Sequence, residues 1–261
     1  MTHAPTDTAR GAPTPVNGQD TEFWRSHTQI SLSPVAAPSI LGLFGLAGAT
    51  FMVAANLAGW YVNPGALLVL FPFALIFGGI AQFLAGMWGF RARDGVATAM
   101  HGLWGSFWIA FGVYMFLVVS GTFGPAALPS IVPGSIATAR PVQLGFGWWF
   151  IILAAITWVG ALAALATNLG FSLTLALLAA GSTILAIDWT VPFGPGVQQA
   201  AGDVLVAAAV VAFYTAAALM LESTFQRQLL PVGHMRRGRP EHARFLPIQY
   251  ELGEPGVKAG Q

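Results

Sequence analysis

Long apolar runs separated by short polar punctuation organise this chain. The first run extends from about Leu41 to Val62, and roughly 20 apolar residues suffice to cross a bilayer core as a helix. Asn63-Pro64-Gly65 follows and reads as a tight turn. Trp60 and Tyr61 beside it suit a membrane interface. A second run covers about Ala66 to Phe90, with Pro72 inside it, and ends at Arg91, Arg93 and Asp94. A proline at that depth predicts a kink, tolerable where neighbouring groups satisfy the freed carbonyl. A third run covers about Val96 to Val119, and Gly121 to Leu144 then reads as a Gly/Pro/Ser loop. From Gly145 to Ile187 the chain is apolar almost without pause. That length fits two spans joined by a tight turn, for which Thr167-Asn168 is the best break. Asp188, Pro192, Pro195 and Gly196 close the fifth span, and a sixth runs from about Gln199 to Leu221.

Composition makes lipid the solvent of these helices. The chain is 56% hydrophobic and only 8% charged, with a mean hydropathy of +0.68, whereas a soluble domain carries roughly 25% charged residues. Cation placement then orients the spans. With both ends inside, the inner side holds Arg10, Arg25, Arg91, Arg93, Arg227 and the tail cations, against Arg140 alone outside, as the positive-inside bias requires. The expectation is an all-α, multi-pass protein of the plasma or inner membrane, with six transmembrane helices and both termini cytoplasmic. Residues 1–37 form a polar N-terminal tail expected to be disordered. It lacks the basic start and apolar segment of a secretory signal, and Trp24 offers an interfacial anchor near Phe23 to Leu32. Residues 38–226 form the transmembrane domain and 227–261 a basic cytoplasmic tail.

Candidate chemistry concentrates between Phe77 and Trp108. Gly78, Gln82 and Gly86 lie four apart, as do Ala81, Ala85 and Gly89, so each row shares one face of a helix with 3.6 residues per turn. Small rows let helix backbones approach closely in a bilayer. One row is expected inside the subunit and the other against a neighbour. Gln82 lies on such a row and should point into the bundle, as a pathway amide or as an interhelical hydrogen bond. Trp104 could gate a pathway or simply pack. His101 could hold a proton, because its ordinary pKa lies near physiological pH. Asn56 and Ser106 could add polar contacts. Asp203 is ionisable within a span, or is a solvated helix-start carboxylate favoured by the helix dipole; Asp188 is expected at the outer surface. No metal-ligand spacing, nucleophile–base pair or close carboxylate pair stands out. The chain has no cysteine, so thiolate chemistry is excluded; no enzyme activity, cofactor, metal or nucleic-acid partner is expected.

Four motifs carry a resemblance. PSILGLFGLAG at Pro38–Gly48 resembles the NPAPLGLxGFG signature of the acetate uptake transporter family, which includes succinate–acetate permeases and fungal ammonia/acetate exporters. FGGIAQFLAG at Phe77–Gly86 resembles that family's YGGIAQIFAG, GSFW at Gly105–Trp108 is identical to its third-helix motif, and FQRQLLPVG at Phe225–Gly233 resembles FGRTVLPIG. The resemblance implies six helices per subunit, a hexameric ring and a pore through each subunit. It implies passage of small monocarboxylates, and sometimes succinate, by proton-coupled symport or anion conduction. It also implies an aromatic–leucine–aromatic narrow point, falling here on Leu46, Trp104 and Leu178 (Leu173 is the alternative), and a pathway glutamine at Gln82. The family's opening asparagine and second proline are Ala37 and Ile40 here, and Leu46 and Trp104 stand where Phe and Tyr are expected. The ring stays apolar but lacks the phenol hydroxyl.

Small-carboxylate transport is therefore the leading expectation. An apolar constriction with a few polar contacts suits it, and no cation within the spans neutralises a bound anion. The rivals are a channel for ammonia or another small neutral solute, and a membrane scaffold whose small-residue rows serve only oligomerisation.

Overall fold

The computed structural model describes residues 36–61, 64–120, 122, 136–191 and 193–233. The expected N-terminal tail with Trp24, Asn63 of the first turn, most of the 121–144 loop and the basic tail after Gly233 lie outside the described residues.

Among the described residues the chain is an all-α membrane bundle of six spans with no sheet. The first is Pro38–Leu57. The second runs from Pro64–Phe73 through a π-helical stretch, Ala74–Ala81, into Gln82–Ala92. The others are Gly95–Val119, Ile136–Ala164, Leu169–Thr190 and Pro195–Phe225. All six are long and apolar enough to cross a membrane. Their outward faces carry large apolar side chains such as Phe90, Phe116, Trp148 and Val159, each more than half exposed, a surface suited to lipid rather than water. Several boundaries differ from expectation: the first helix ends at Leu57 rather than Val62, Pro64 and Gly65 of the expected turn belong to the second span, and the sixth helix ends at Phe225 rather than Leu221. The fourth helix begins at Ile136, inside the stretch expected to be loop to Leu144. The sixth begins at Pro195 rather than Gln199, because proline, with φ preset and no N–H to satisfy, starts a helix well.

Side-chain chemistry sets the tight turns. Arg93 takes a left-handed φ of 56° after the second span, and the Asp94 N–H returns to the Gly89 carbonyl at 3.1 Å. The Asp94 carboxylate then accepts from the Ala97 N–H at 2.9 Å, capping the third helix. Asn168 plays the same part at the expected fourth–fifth break, accepting from the Phe171 N–H at 2.7 Å. The chain after the sixth helix completes this cap. Gly233 and Val232 offer their carbonyls to the Leu169 and Gly170 N–H groups, both at 3.0 Å, and the Tyr214 hydroxyl donates to the Pro231 carbonyl at 3.0 Å. The first three amides of the fifth helix, which have no partner within their own helix, are thereby satisfied. Asn168→Ala should cost about 1 kcal/mol, read as a lower melting temperature in detergent.

The second span departs most from a regular helix. Pro72 cannot donate to the preceding turn, and from Ala74 the chain winds as a π-helix that reverts to α at Gln82. Such insertions re-phase everything that follows and recur at functional sites. Here the π stretch presses Gly78 against Ala49 and Trp108, and Gly79 against Ile109. Both small-residue rows turn inward. Gly78, Gln82 and Gly86 are buried, and so are Ala85 and Gly89; a Cβ on Gly89 would lie 2.6 Å from the Thr98 hydroxyl. The expectation that one row faces a neighbouring subunit is thus corrected. The third helix lies against Gly86 and Gly89, the first helix meets Gly78 and Gln82, and Ala81 is half-buried.

Candidate functional site

The first helix forms one wall of a polar and apolar sequence of side chains. It carries glycine at Gly42 and Gly45, so neighbouring side chains lie against its backbone. The His101 ring occupies the space a Cβ on Gly42 would need, at 2.5 Å from that position, and the Gln82 Cβ lies 3.3 Å from the same point on Gly45. Leu46 follows immediately, and Thr50 sits one turn further along.

Gln82 is fully buried, and neither its amide nitrogen nor its oxygen has a protein partner. The interhelical hydrogen bond considered for it is absent. His101 is 1% exposed, stacks on Phe171 of the fifth helix at 5.8 Å, and likewise has no protein partner at either ring nitrogen. Buried amides and imidazoles are nearly always hydrogen-bonded, and leaving them unpaired costs free energy. Both groups are thus buried without a protein partner, next to the glycines of the first helix.

Leu46, Trp104 and Leu178 all belong to the central buried cluster. Trp104 and Leu178 lie on one cavity of about 60 Å³, with Thr50, Trp108, Phe150 and Leu205 among its other walls. By volume that is room for about two waters. The cavity is almost wholly apolar, drawn from the first, third, fourth, fifth and sixth helices. The Trp104 indole N–H donates to the Thr157 hydroxyl at 3.1 Å, and Thr157 donates onward to the Leu153 carbonyl at 2.6 Å, which fixes the indole plane. Phe107 meets Trp104 edge-on at 5.5 Å. Leu173, the alternative fifth-helix position, is 50% exposed and faces away from the interior.

The remaining expected contacts lie elsewhere. Asn56 is half-buried and donates to the Tyr61 carbonyl at 2.8 Å, closing the end of the first helix. Ser106 is exposed and donates to the Gly102 carbonyl at 2.7 Å. Asp203 is exposed near the start of the sixth helix. Asp188 was expected at the outer surface but is buried, because its carboxylate accepts from the Phe193 N–H at 3.2 Å and closes the turn after the fifth helix. Three buried polar groups were not singled out as site residues from the sequence. Thr50, Trp108 and Ser182 are 4%, 3% and 0% exposed, and their polar atoms have no protein partner. Among the described residues no Lys or Arg is buried and no His, Cys, Asp and Glu group could hold a metal ion.

Comparison with known proteins agrees with this architecture. Residues 21–237 match the GPR1/FUN34/yaaH family. Acetate permease A of Emericella nidulans is 28% identical over 206 residues, covering 76% of this chain and 66% of the fungal protein. The structure of the bacterial acetate channel SatP superposes with a TM-score of 0.66 at 20% identity, covering 77% of this chain and all of that one; at that identity it shows a shared fold.

Proposed function

We propose a function from one premise: the chain belongs to the GPR1/FUN34/yaaH family of acetate transporters, not to a family of enzymes. It carries small carboxylates such as acetate across the membrane through a pore in each subunit. Leu46, Trp104 and Leu178 form the apolar constriction. Gln82 and His101 supply polar contacts on the side where the first, third and fifth helices begin. The observation that carries this reading is the Gln82 amide, fully buried beside Gly45 and without a protein partner.

The chemistry favours transit as a neutral species. No buried cation among the described residues is available to pair with a carboxylate, and an unpaired charge in apolar surroundings is strongly disfavoured. Gln82 and a neutral imidazole at His101 each offer one donor set and one acceptor set. That complements a protonated acid, with its O–H and C=O, so passage together with a proton is the preferred mode over bare anion conduction. Asn56, Ser106 and Asp203 have no place in this pathway within one subunit. Succinate as a second substrate and assembly into a hexamer complete the proposal by family analogy. Both termini are placed in the cytoplasm on cation bias; a reporter fused after Lys258 should be active only there, and external activity would contradict it.

Gln82→Ala tests the assignment. It should lower acetate uptake into proteoliposomes about tenfold, the loss expected from removing roughly one good hydrogen bond in a dry site. The preference for acetate over larger acids should stay unchanged. Wild-type uptake by this variant would show that Gln82 serves packing alone.

A further inference from the structure

The third helix stands in the bundle with a groove on each side. One groove separates it from the second span, with Phe83, Met87 and Phe90 on one wall and Gly102, Leu103 and Ser106 on the other. The second separates it from the fourth helix, with Val96 and Met100 facing Ile156, Val159 and Ala163. Their volumes are about 740 and 600 Å³, against about 60 Å³ for the interior cavity. Each therefore has room for an alkyl chain rather than a few waters. The hydroxyls along them are already spent: Ser106 donates to the Gly102 carbonyl at 2.7 Å and Thr167 to the Ala164 carbonyl at 2.8 Å. From Gly95 to Ser106 the third helix rises about 16 Å, close to one leaflet, or half of a hydrocarbon core of roughly 30 Å.

The two grooves meet at one end. Arg93, Asp94, Gly95 and Ala99 line both. Gly95 and Ala99 are exposed, and their small side chains leave little more than backbone between the grooves. Charge marks the same end. Arg91 and Arg93 are exposed and form no ion pair among the described residues. The Arg91 guanidinium lies 5.9 Å from the centroid of the Trp88 ring, and that ring is exposed where an interfacial aromatic belongs. Asp94 is the one carboxylate at the junction, and it accepts from the Ala97 N–H at 2.9 Å.

We infer that one anionic phospholipid straddles the third helix, with its phosphate at Arg93 and one acyl chain in each groove. Two apolar grooves converging on a single cation match a headgroup that carries two chains. Arginine pairs well with phosphate oxygens, and basic pockets between membrane helices suit anionic headgroups. A second copy of this chain matches the place less well. Among the other described carboxylates, Asp188 and Asp203 lie near the opposite ends of the fifth and sixth helices, and Glu222 is half-buried on the sixth. An anionic phospholipid, by contrast, brings negative charge at the depth of Arg93 and chains at the depth of the grooves. This site is separate from the transport pathway and stands whether or not the chain carries carboxylates.

The test is native mass spectrometry of the purified full chain in mild detergent. The probes are phosphatidylglycerol and phosphatidylcholine with the same two acyl chains. The wild type should retain one phosphatidylglycerol per chain and bind it at least about tenfold more tightly than phosphatidylcholine, since each interfacial arginine accounts for about fivefold. Arg93→Gln should lower the phosphatidylglycerol affinity about fivefold and leave phosphatidylcholine nearly unchanged. Ala99→Phe should weaken both lipids alike, by filling the junction of the grooves, with an unchanged melting temperature in the absence of lipid. Lysophosphatidylglycerol, with a single chain, should bind more weakly than the two-chain lipid. Equal retention of the two lipids by the wild type, or wild-type phosphatidylglycerol affinity in Arg93→Gln, would overturn the site. An assembly that carries no lipid and falls apart on Ala99→Phe would overturn it as well, by showing that a second copy fills the grooves. If Arg93→Gln does not fold, Ala99→Phe and the single-chain lipid decide: wild-type binding in both would end the proposal.

Discussion

Gly86→Leu should leave almost no folded protein. The second and third spans meet backbone to backbone here. A Cβ on Gly86 would lie 2.5 Å from the Gly102 nitrogen and 2.8 Å from its Cα. One step along, a Cβ on Gly105 would lie 2.6 Å from the Phe83 nitrogen. In both cases the obstacle is main chain, which cannot swing aside as a side chain can. Overpacking an ordinary core costs about 1 to 3 kcal/mol, and more where nothing can yield; separating two helices along their length belongs to the latter case. Against a total stability of about 5 to 15 kcal/mol, the expected outcome is loss of the monodisperse peak in size-exclusion chromatography. Gly48→Ala is the control. It is exposed and has nothing within 4 Å of its Cβ position, so it should behave as wild type.

Trp104→Ala should change what passes. The indole, assigned above to the proposed constriction, is 2% exposed, held by Thr157 and braced by Phe107. Removing it widens the narrow point toward the adjoining cavity. The ratio of acetate to succinate uptake should fall on the order of tenfold, within the range one altered pocket contact provides. Truncating so large a buried ring costs about 3 to 5 kcal/mol, so the comparison belongs to protein that still elutes as a single species. Thr157 keeps its own acceptor, the Leu153 carbonyl, and is not orphaned by the change. Trp104→Leu, which fills more of the space, should give an intermediate ratio. An unchanged ratio in both variants, measured by competitive uptake, would make Trp104 a packing residue.

Much of the fold was legible because hydrophobic runs and turn chemistry are local signals. Six runs of spanning length marked six helices, and Asp94 and Asn168 stood where caps were needed. Boundaries were less legible. Pro195 starts the sixth helix four residues early, and Ile136 starts the fourth within a stretch whose prolines and glycines read as loop. Pro72 announced irregularity, but the sequence does not say whether a proline is relieved by a bend or by a π-helical stretch. The small-residue rows foretold close packing. Which faces they served depended on how closely the third helix crosses, a tertiary property.

The site follows the same division. Gln82 was legible as an inward-pointing amide, since lone polar groups on small-residue faces rarely meet lipid. Its lack of a partner needed the structure. Ser106 and Asn56 looked equally available, yet each hydroxyl or amide is taken up by a nearby carbonyl. Asp188 was misplaced because its use as a turn acceptor depends on the chain folding back at Phe193. Thr50, Trp108 and Ser182 sit within apolar helices, and their burial without partners likewise needed the structure.

Uptake of labelled acetate by the purified wild-type protein in liposomes is the most direct test of the pathway. With an inward acid gradient, protein-containing vesicles should accumulate acetate faster than empty ones. Unlabelled acetate should compete, and collapsing the gradient should slow uptake. Accumulation no faster than in empty vesicles, from protein shown to be folded, would contradict carboxylate transport and leave the bundle a scaffold.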